Sequence, residues 1–181
     1  PTVRADWASQ EAEQEFALLE ECRGLMNQER AILNYPAGKR LHFKVHGKTD
    51  HIYSALEKHK TLIEHMENVD NLWLANTFDV SNPGGLLILT GSSIQVRTSM
   101  EGADLQKAKD NVHKQIALLQ KEVARTQQKL SNPDFVAKAP PDVLNEHRER
   151  LERESQMIQL FQHALGQIDL YILERKRIEG P

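Results

Sequence analysis

The sequence predicts an α+β fold, mostly helical, in which a small β-α-β-β-β layer sits between an N-terminal helix and a long antiparallel helical hairpin. Three observations lead there. Apolar residues recur every three to four positions in the first 36 residues and again beyond residue 103; between 39 and 100 the apolar period shortens towards two; and Lys129 to Pro141 combines a helix stop with a helix start.

Trp7 to Leu33 reads as one amphipathic helix. Phe16, Leu19, Cys22 and Met26, with Leu33 at the end, share a face, and Glu13, Glu20, Glu21 and Asn27 point outward. Pro36 and Gly38 are expected to stop it. Leu41 to Gly47 then alternates as a half-buried strand with Phe43 and Val45 inward. Asp50 to Asn68 follows as a helix with Ile52, Leu56, Ile63 and Met66 on one stripe. Further strands are read at 72–75, 86–89 and 93–98, with Asn82-Pro83-Gly84-Gly85 as a turn. One sheet covered by one helix is the expected result, too thin for a catalytic cleft.

The hairpin carries the strongest signal. Leu105, Val112, Leu119 and Thr126 repeat every seven residues, as do Leu144, Leu151, Ile158, Leu165 and Ile172 after the tip, which is the seam of a coiled coil. Folding back at the tip sets Leu130 against Leu144, Val123 against Leu151 and Ile116 against Ile158 in a constant register. Lys109, Thr126 and Glu154 are weak layers in that seam. Ser131, Asn132 and Pro133 end the first arm helix, Pro140 and Pro141 suit the first turn of the second, and Asp142 favours the positive end of its dipole. Phe135, Val136 and Lys138 are read as loop. The domain reading is therefore 1–36, a helix; 37–102, a small α/β unit; and 103–181, an arm with its tip loop at 131–141.

The 181 residues, 39% of them hydrophobic, can hold one or two small domains. No apolar run is long enough to span a membrane, and the start at Pro1, without Met, suggests a fragment or a processed or trimmed chain. A single Cys excludes an internal disulfide framework and fits a reducing compartment, the cytoplasm or the mitochondrial matrix. The net charge of −3 is unevenly spread. Residues 1–102 hold 10 Lys and Arg against 14 Asp and Glu, a net of −4, whereas 105–138 hold 7 against 3, a net of +4. Lys107, Lys114 and Lys121 fall on one helical stripe, with Arg125, Lys129 and Lys138 towards the tip. Charge alone favours a solvated coiled-coil face, because mixed charged helices are common.

The residues also carry a resemblance. Lys129-Leu130-Ser131-Asn132, then Phe135-Val136-Ala137-Lys138-Ala139-Pro140, then the charged helix with Arg148-Glu149-Arg150-Leu151, resemble the C-terminal coiled-coil arm of valyl-tRNA synthetase. Upstream, Glu29-Arg30-Ala31 and Tyr35-Pro36-Ala37-Gly38-Lys39-Arg40-Leu41 resemble the segment joining that family's anticodon-binding helices to a small α/β piece. The resemblance implies that the arm holds the outer corner of tRNA, where the D and T loops meet, while a catalytic body elsewhere charges it with valine. It reverses the preference on charge: Lys107, Lys114, Lys121, Arg125, Lys129 and Lys138 are then expected to meet phosphates. Phe135 is expected either to pack on an exposed base or to plug the end of the seam. It further implies that the first helix, about 9–33, packs its apolar face on helices outside this sequence, leaving a free chain to cover that face itself, dimerise or expose it.

Other chemistry finds little support. His42 and His46 share a strand face near His51, but no Cys pair or carboxylate set completes a metal site, and no cofactor is expected. Cys22 lies on the apolar face with no sequence-local base, so core packing is its expected role. The class I synthetase signatures, His-Ile-Gly-His and Lys-Met-Ser-Lys-Ser, do not occur, so no adenylate chemistry is expected of these residues. A free-standing relative without catalysis, serving as a structural or interaction subunit of a larger complex, is the competing expectation.

Overall fold

The computed structural model describes residues 9–36, 38–76 and 85–179. The expected helix start at Trp7, the turn residues Asn82 to Gly84 and the residue Ala37 lie outside them. Helix α1 (Gln10–Ile32) begins where Ser9, in extended backbone, accepts a hydrogen bond from the Ala12 N–H. It ends four residues before Pro36. Asn34 adopts a φ of 53°, Asn34 N–H bonds Ala31 O at 3.2 Å and Tyr35 N–H bonds Arg30 O at 2.9 Å. Those paired bonds around a left-handed residue satisfy the last carbonyls, so an asparagine ends this helix, not the Pro36 and Gly38 of the sequence reading.

Strand β1 (Leu41–Gly47), helix α2 (Asp50–Met66) and strand β2 (Val69–Ala75) form a parallel crossover; β3 (Leu86–Thr90) and β4 (Ile94–Ser99) complete a mixed sheet of order β2-β1-β4-β3. Alternation places Phe43, Val45, Leu72, Leu87, Leu89 and Val96 on one face, all fully buried. Two helices pack on the sheet, not the expected one, because α1 lies against β3 and β4 while α2 covers β1 and β2. Gly47 permits the tight turn into α2, where a Cβ would come within 2.7 Å of the Tyr53 backbone nitrogen.

The inward faces differ from the sequence reading at several residues. Cys22, Met26 and Leu33 are buried as expected, but Phe16 is 64% exposed and Leu18 and Leu25 take its place in the core. Met66, the last residue of α2, is 52% exposed and not on the buried stripe of Leu56 and Ile63. Glu21, expected outward, instead accepts hydrogen bonds from Ser93 N–H and Ser92 Oγ at 2.9 Å, clipping α1 to the β3–β4 turn.

Arg30 joins these parts. Its guanidinium donates to Lys39 O at 2.6 Å, Glu67 O at 2.8 Å and Asn68 O at 3.2 Å, and lies 5.5 Å from the Phe43 ring centroid. One side chain therefore ties the end of α1, the chain entering β1 and the end of α2. Neighbouring Glu29 is fully buried, and neither carboxyl oxygen has a hydrogen-bond partner. Burial pushes its pKa well above the ordinary 4.5; the Leu89 backbone opposes the shift without reaching hydrogen-bond geometry.

Helix α3 (Leu105–Leu130) starts on the Asp104 cap, the short helix α4 (Pro133–Lys138) follows, and α5 (Pro141–Glu179) returns for 39 residues. The cross-helix pairs Lys109–Asp169 and Glu122–Arg150 show that α3 and α5 run antiparallel. Phe135, Val136 and Lys138 thus lie on a helix, correcting the tip loop. Asn132 Oδ1 accepts from Asp134 N–H at 3.0 Å, and Pro133 occupies the first helical turn, where its missing donor costs nothing. The arm is rooted in the body: Val112, Ile116, Ala164 and Ile168 belong to the same apolar cluster as the sheet. Gln167 seals edge strand β3, accepting from Ile88 N–H at 2.7 Å and donating to Ile88 O at 2.8 Å.

Two predictions follow from this packing. Arg30→Lys cannot reach three carbonyls at once; with at least one left unsatisfied, stability should fall by about 2 kcal/mol, read as a Tm drop of roughly 4–8 °C. Glu29→Gln should raise Tm at neutral pH. With the folded pKa of Glu29 raised, the wild-type carboxyl contributes most below its unfolded value and loses that contribution as pH rises above about 4.5, so the advantage of Gln should shrink as pH falls towards 4.5. Parallel Tm curves for the two proteins from pH 4 to 8 would contradict this.

Candidate nucleic-acid interface

The seven sequence-derived site residues lie on α3 and α4, and all but Phe135 are exposed. On α3, Lys107, Lys114, Lys121, Arg125 and Lys129 fall within a sector of about 80° on the helical wheel at about 100° per residue, roughly 160° from the sector of Val112 and Ile116. The stripe therefore faces away from the seam that joins α3 to α5. Asp104 sets its start by accepting from Lys107 N–H at 3.0 Å.

Their partners divide the cations into two kinds. Among the described residues, Lys107, Lys114, Lys121, Lys129 and Lys138 enter no ion pair. Arg125 does, 2.8 Å from Glu122, whose other oxygen meets Arg150 at 3.1 Å; Arg150 in turn reaches Glu154 at 2.7 Å. This chain of charges crosses from α3 to α5 and holds the half-buried Glu154, a weak layer of the seam. Its second oxygen remains buried without a partner. Lys109, another weak layer, swings out to Asp169.

Near the tip a concavity of about 410 Å³ is lined by Arg125, Lys129, Asn132, His147 and Arg150. Phe135 is half-buried, with its ring 5.7 Å from that of His147 at 62°, an edge-on contact across the end of the hairpin. Sequence reasoning missed Arg150, His147 and Leu118. Arg150 was within reach, because the register that opposes Val123 to Leu151 also sets Arg150 beside Glu122. Leu118 is 57% exposed in the lysine stripe, and its being apolar off the seam was the available signal.

The rest of the molecule offers less. Burial pushes the Cys22 thiol up to about 12, with Glu67, Glu21 and Glu29 adding to the shift, so it stays protonated in the core. His46 is buried with Nδ1 2.9 Å from Ala75 O, unlike exposed His42, and among the described residues no three of His, Cys, Asp or Glu gather as a metal site. No described helix is long and apolar enough to cross a membrane.

Residues 104–169 match the family described as the valyl tRNA synthetase tRNA binding arm. Beyond that segment, the chain is 30% identical over 151 residues to a valine–tRNA ligase of Caulobacter vibrioides, covering 83% of this chain and 16% of that protein. The Thermotoga maritima valine–tRNA ligase is 26% identical over 171 residues, 93% of this chain and 19% of the relative. That of Bacillus subtilis is 28% identical over 151 residues, 83% and 17%. The chain thus spans less than a fifth of the length of these relatives. With its arm matched and similarity running through most of its length, the chain is a relative of the C-terminal region of valyl-tRNA synthetase.

Proposed function

We propose that this chain is the tRNA-binding C-terminal module of a valine-tRNA ligase, gripping the outer corner of tRNA at the D and T loops. The observation that carries this reading is the stripe of exposed lysines without ion pairs, lying inside the segment that matches a tRNA-binding arm. Cations that pair with no carboxylate of their own chain release counterions when they meet phosphates, so affinity comes from backbone contact and should fall steeply with salt. Recognition is then mainly of shape, with the anticodon read and valine attached by domains outside these residues. In this account 103–181 is a coiled-coil arm, 37–102 its platform and 1–36 the join to the rest of a synthetase working in the cytoplasm.

Within this reading the arm residues take separate roles. Lys107, Lys114, Lys121, Lys129 and Lys138 contact phosphates directly, whereas Arg125 is held by Glu122, which Arg150 also engages, at the rim of the tip concavity. Phe135 closes the hairpin against His147. A free-standing subunit recruited by protein contacts would be favoured by an uncovered apolar face on α1. That face lies on the chain's own sheet, which favours the tRNA reading instead.

Reversing Lys114, Lys121 and Lys129 to Glu should weaken tRNA binding at least about tenfold and lower the log–log salt slope by roughly 2–3. Far-UV circular dichroism should be unchanged, since the three lysines enter no ion pair among the described residues; unaltered affinity would remove the stripe from the interface. For Phe135, Leu should preserve both Tm and tRNA affinity within about twofold, while Ala should lower Tm through loss of roughly 1–2 kcal/mol of packing. A tenfold affinity loss in Phe135→Leu at constant Tm would assign the ring to base stacking.

A further inference from the structure

The sheet has a second face, turned away from α1 and α2, and part of it is unlike an ordinary polar surface. Trp73 stands on edge strand β2 at 50% exposure, with the His42 ring 5.5 Å from its own at 40°. Lys44, exposed and without an ion pair among the described residues, is the register partner of Trp73 on β1. Arg40, its side chain 61% exposed, precedes the strand. The carboxylate in contact with this group is Asp70, 3.3 Å from Arg40 and 3.8 Å from His42. An aromatic pair, its rings tilted by 40°, thus has the cations Arg40 and Lys44 beside it on a body that is acidic as a whole.

We propose that this sheet face is a second RNA-contact site, which takes an unpaired, unstacked nucleotide: the base on Trp73, the adjoining phosphates on Lys44 and Arg40. A π-face at half exposure accepts any base by stacking, and His42 fixes the plane of the indole so that little order is lost on binding. Duplex RNA is a poor occupant because its base faces are covered by their neighbours. The cations supply the complementary charge that an aromatic patch serving a neutral protein surface would not need. The site shares no residue with the lysine stripe, so it stands or falls separately from the arm.

The test uses the full chain carrying Trp7→Phe, which leaves Trp73 as the single indole, in a Lys114→Glu, Lys121→Glu background that weakens the arm. Titration with a short single-stranded polyuridylate should quench Trp73 fluorescence saturably, and a matched duplex should not. Lys44→Glu should weaken the quenching curve severalfold, and Trp73→Leu should weaken binding of a labelled oligonucleotide roughly tenfold with unchanged circular dichroism. Absence of quenching, or quenching indifferent to Lys44→Glu and to His42→Ala, would overturn the proposal and leave the face to a protein partner. Failure of the arm reading would show elsewhere, as folded-tRNA affinity that does not respond to the arm reversals.

Discussion

The fold depends on one buried cation. Arg30 sits at the last turn of α1 and gathers three backbone carbonyls, from the segment before β1 and from the end of α2, over the ring of Phe43. A helix terminus leaves its carbonyls without partners, and here the guanidinium answers the end of α2 with donors of fixed geometry. The arrangement joins three segments that the chain presents far apart, and it orients α1 on the sheet before any arm residue is considered. Glu67, whose carbonyl is one of the three, also carries the carboxylate that meets Arg23 at 3.5 Å, so an ion pair lies beside the carbonyl cluster.

From that platform the arm is held at two places. Asn111 of α3 donates to Ala31 O at the end of α1 at 2.8 Å, next to Arg30 in sequence. Gln167 of α5 occupies the open hydrogen-bonding edge of β3 at Ile88. Both anchors use side-chain amides on backbone groups, which fixes direction more strictly than apolar contact would. Between them Val112, Ile116, Ala164 and Ile168 continue the body's core into the base of the arm. Towards the tip apolar burial thins out, and the charges of Arg125, Glu122, Arg150 and Glu154 take over the cross-helix contacts.

Much of this was legible in the sequence, for identifiable reasons. The first strand announced itself because half-buried strands alternate, and Phe43 and Val45 obeyed the rule; β4, buried from Ile94 to Thr98, does not. The tip was read correctly as a reversal and wrongly as a loop: Pro133 was taken only as a terminator, when behind an Asn cap it is also a good first helical residue. Helix faces were read less well. Phe16 and Met66 fit their apolar stripes, but Phe16 lies roughly 180° around α1 from buried Leu25 and Met66 is the last residue of α2, and a helical wheel does not say which face meets the sheet. The functions of Arg30 and Gln167 were invisible, because their acceptors are backbone carbonyls and amides brought close by the fold, and no side-chain pattern records those. Of the candidate site, the lysine stripe was legible from spacing alone; the division between lysines and the paired Arg125 required side-chain geometry, because Arg125 finds Glu122 three residues back on its own helix.

Helix α5 runs unbroken from Pro141 to Glu179, from the hairpin tip past the body's sheet edge. At about 1.5 Å per residue it is a rod of roughly 58 Å, fastened to the sheet and core around Ala164, Gln167 and Ile168, whereas its tip-side part is held by α3 and α4. Any load applied at the tip is therefore felt as torque about Gln167 and the root of α3, with the tip-side part as the lever arm. A continuous rod cannot relax such a load by folding at a joint; it must tilt as a whole or pull on β3. The position of the hairpin's far end and the seating of the sheet edge are in that sense mechanically the same variable.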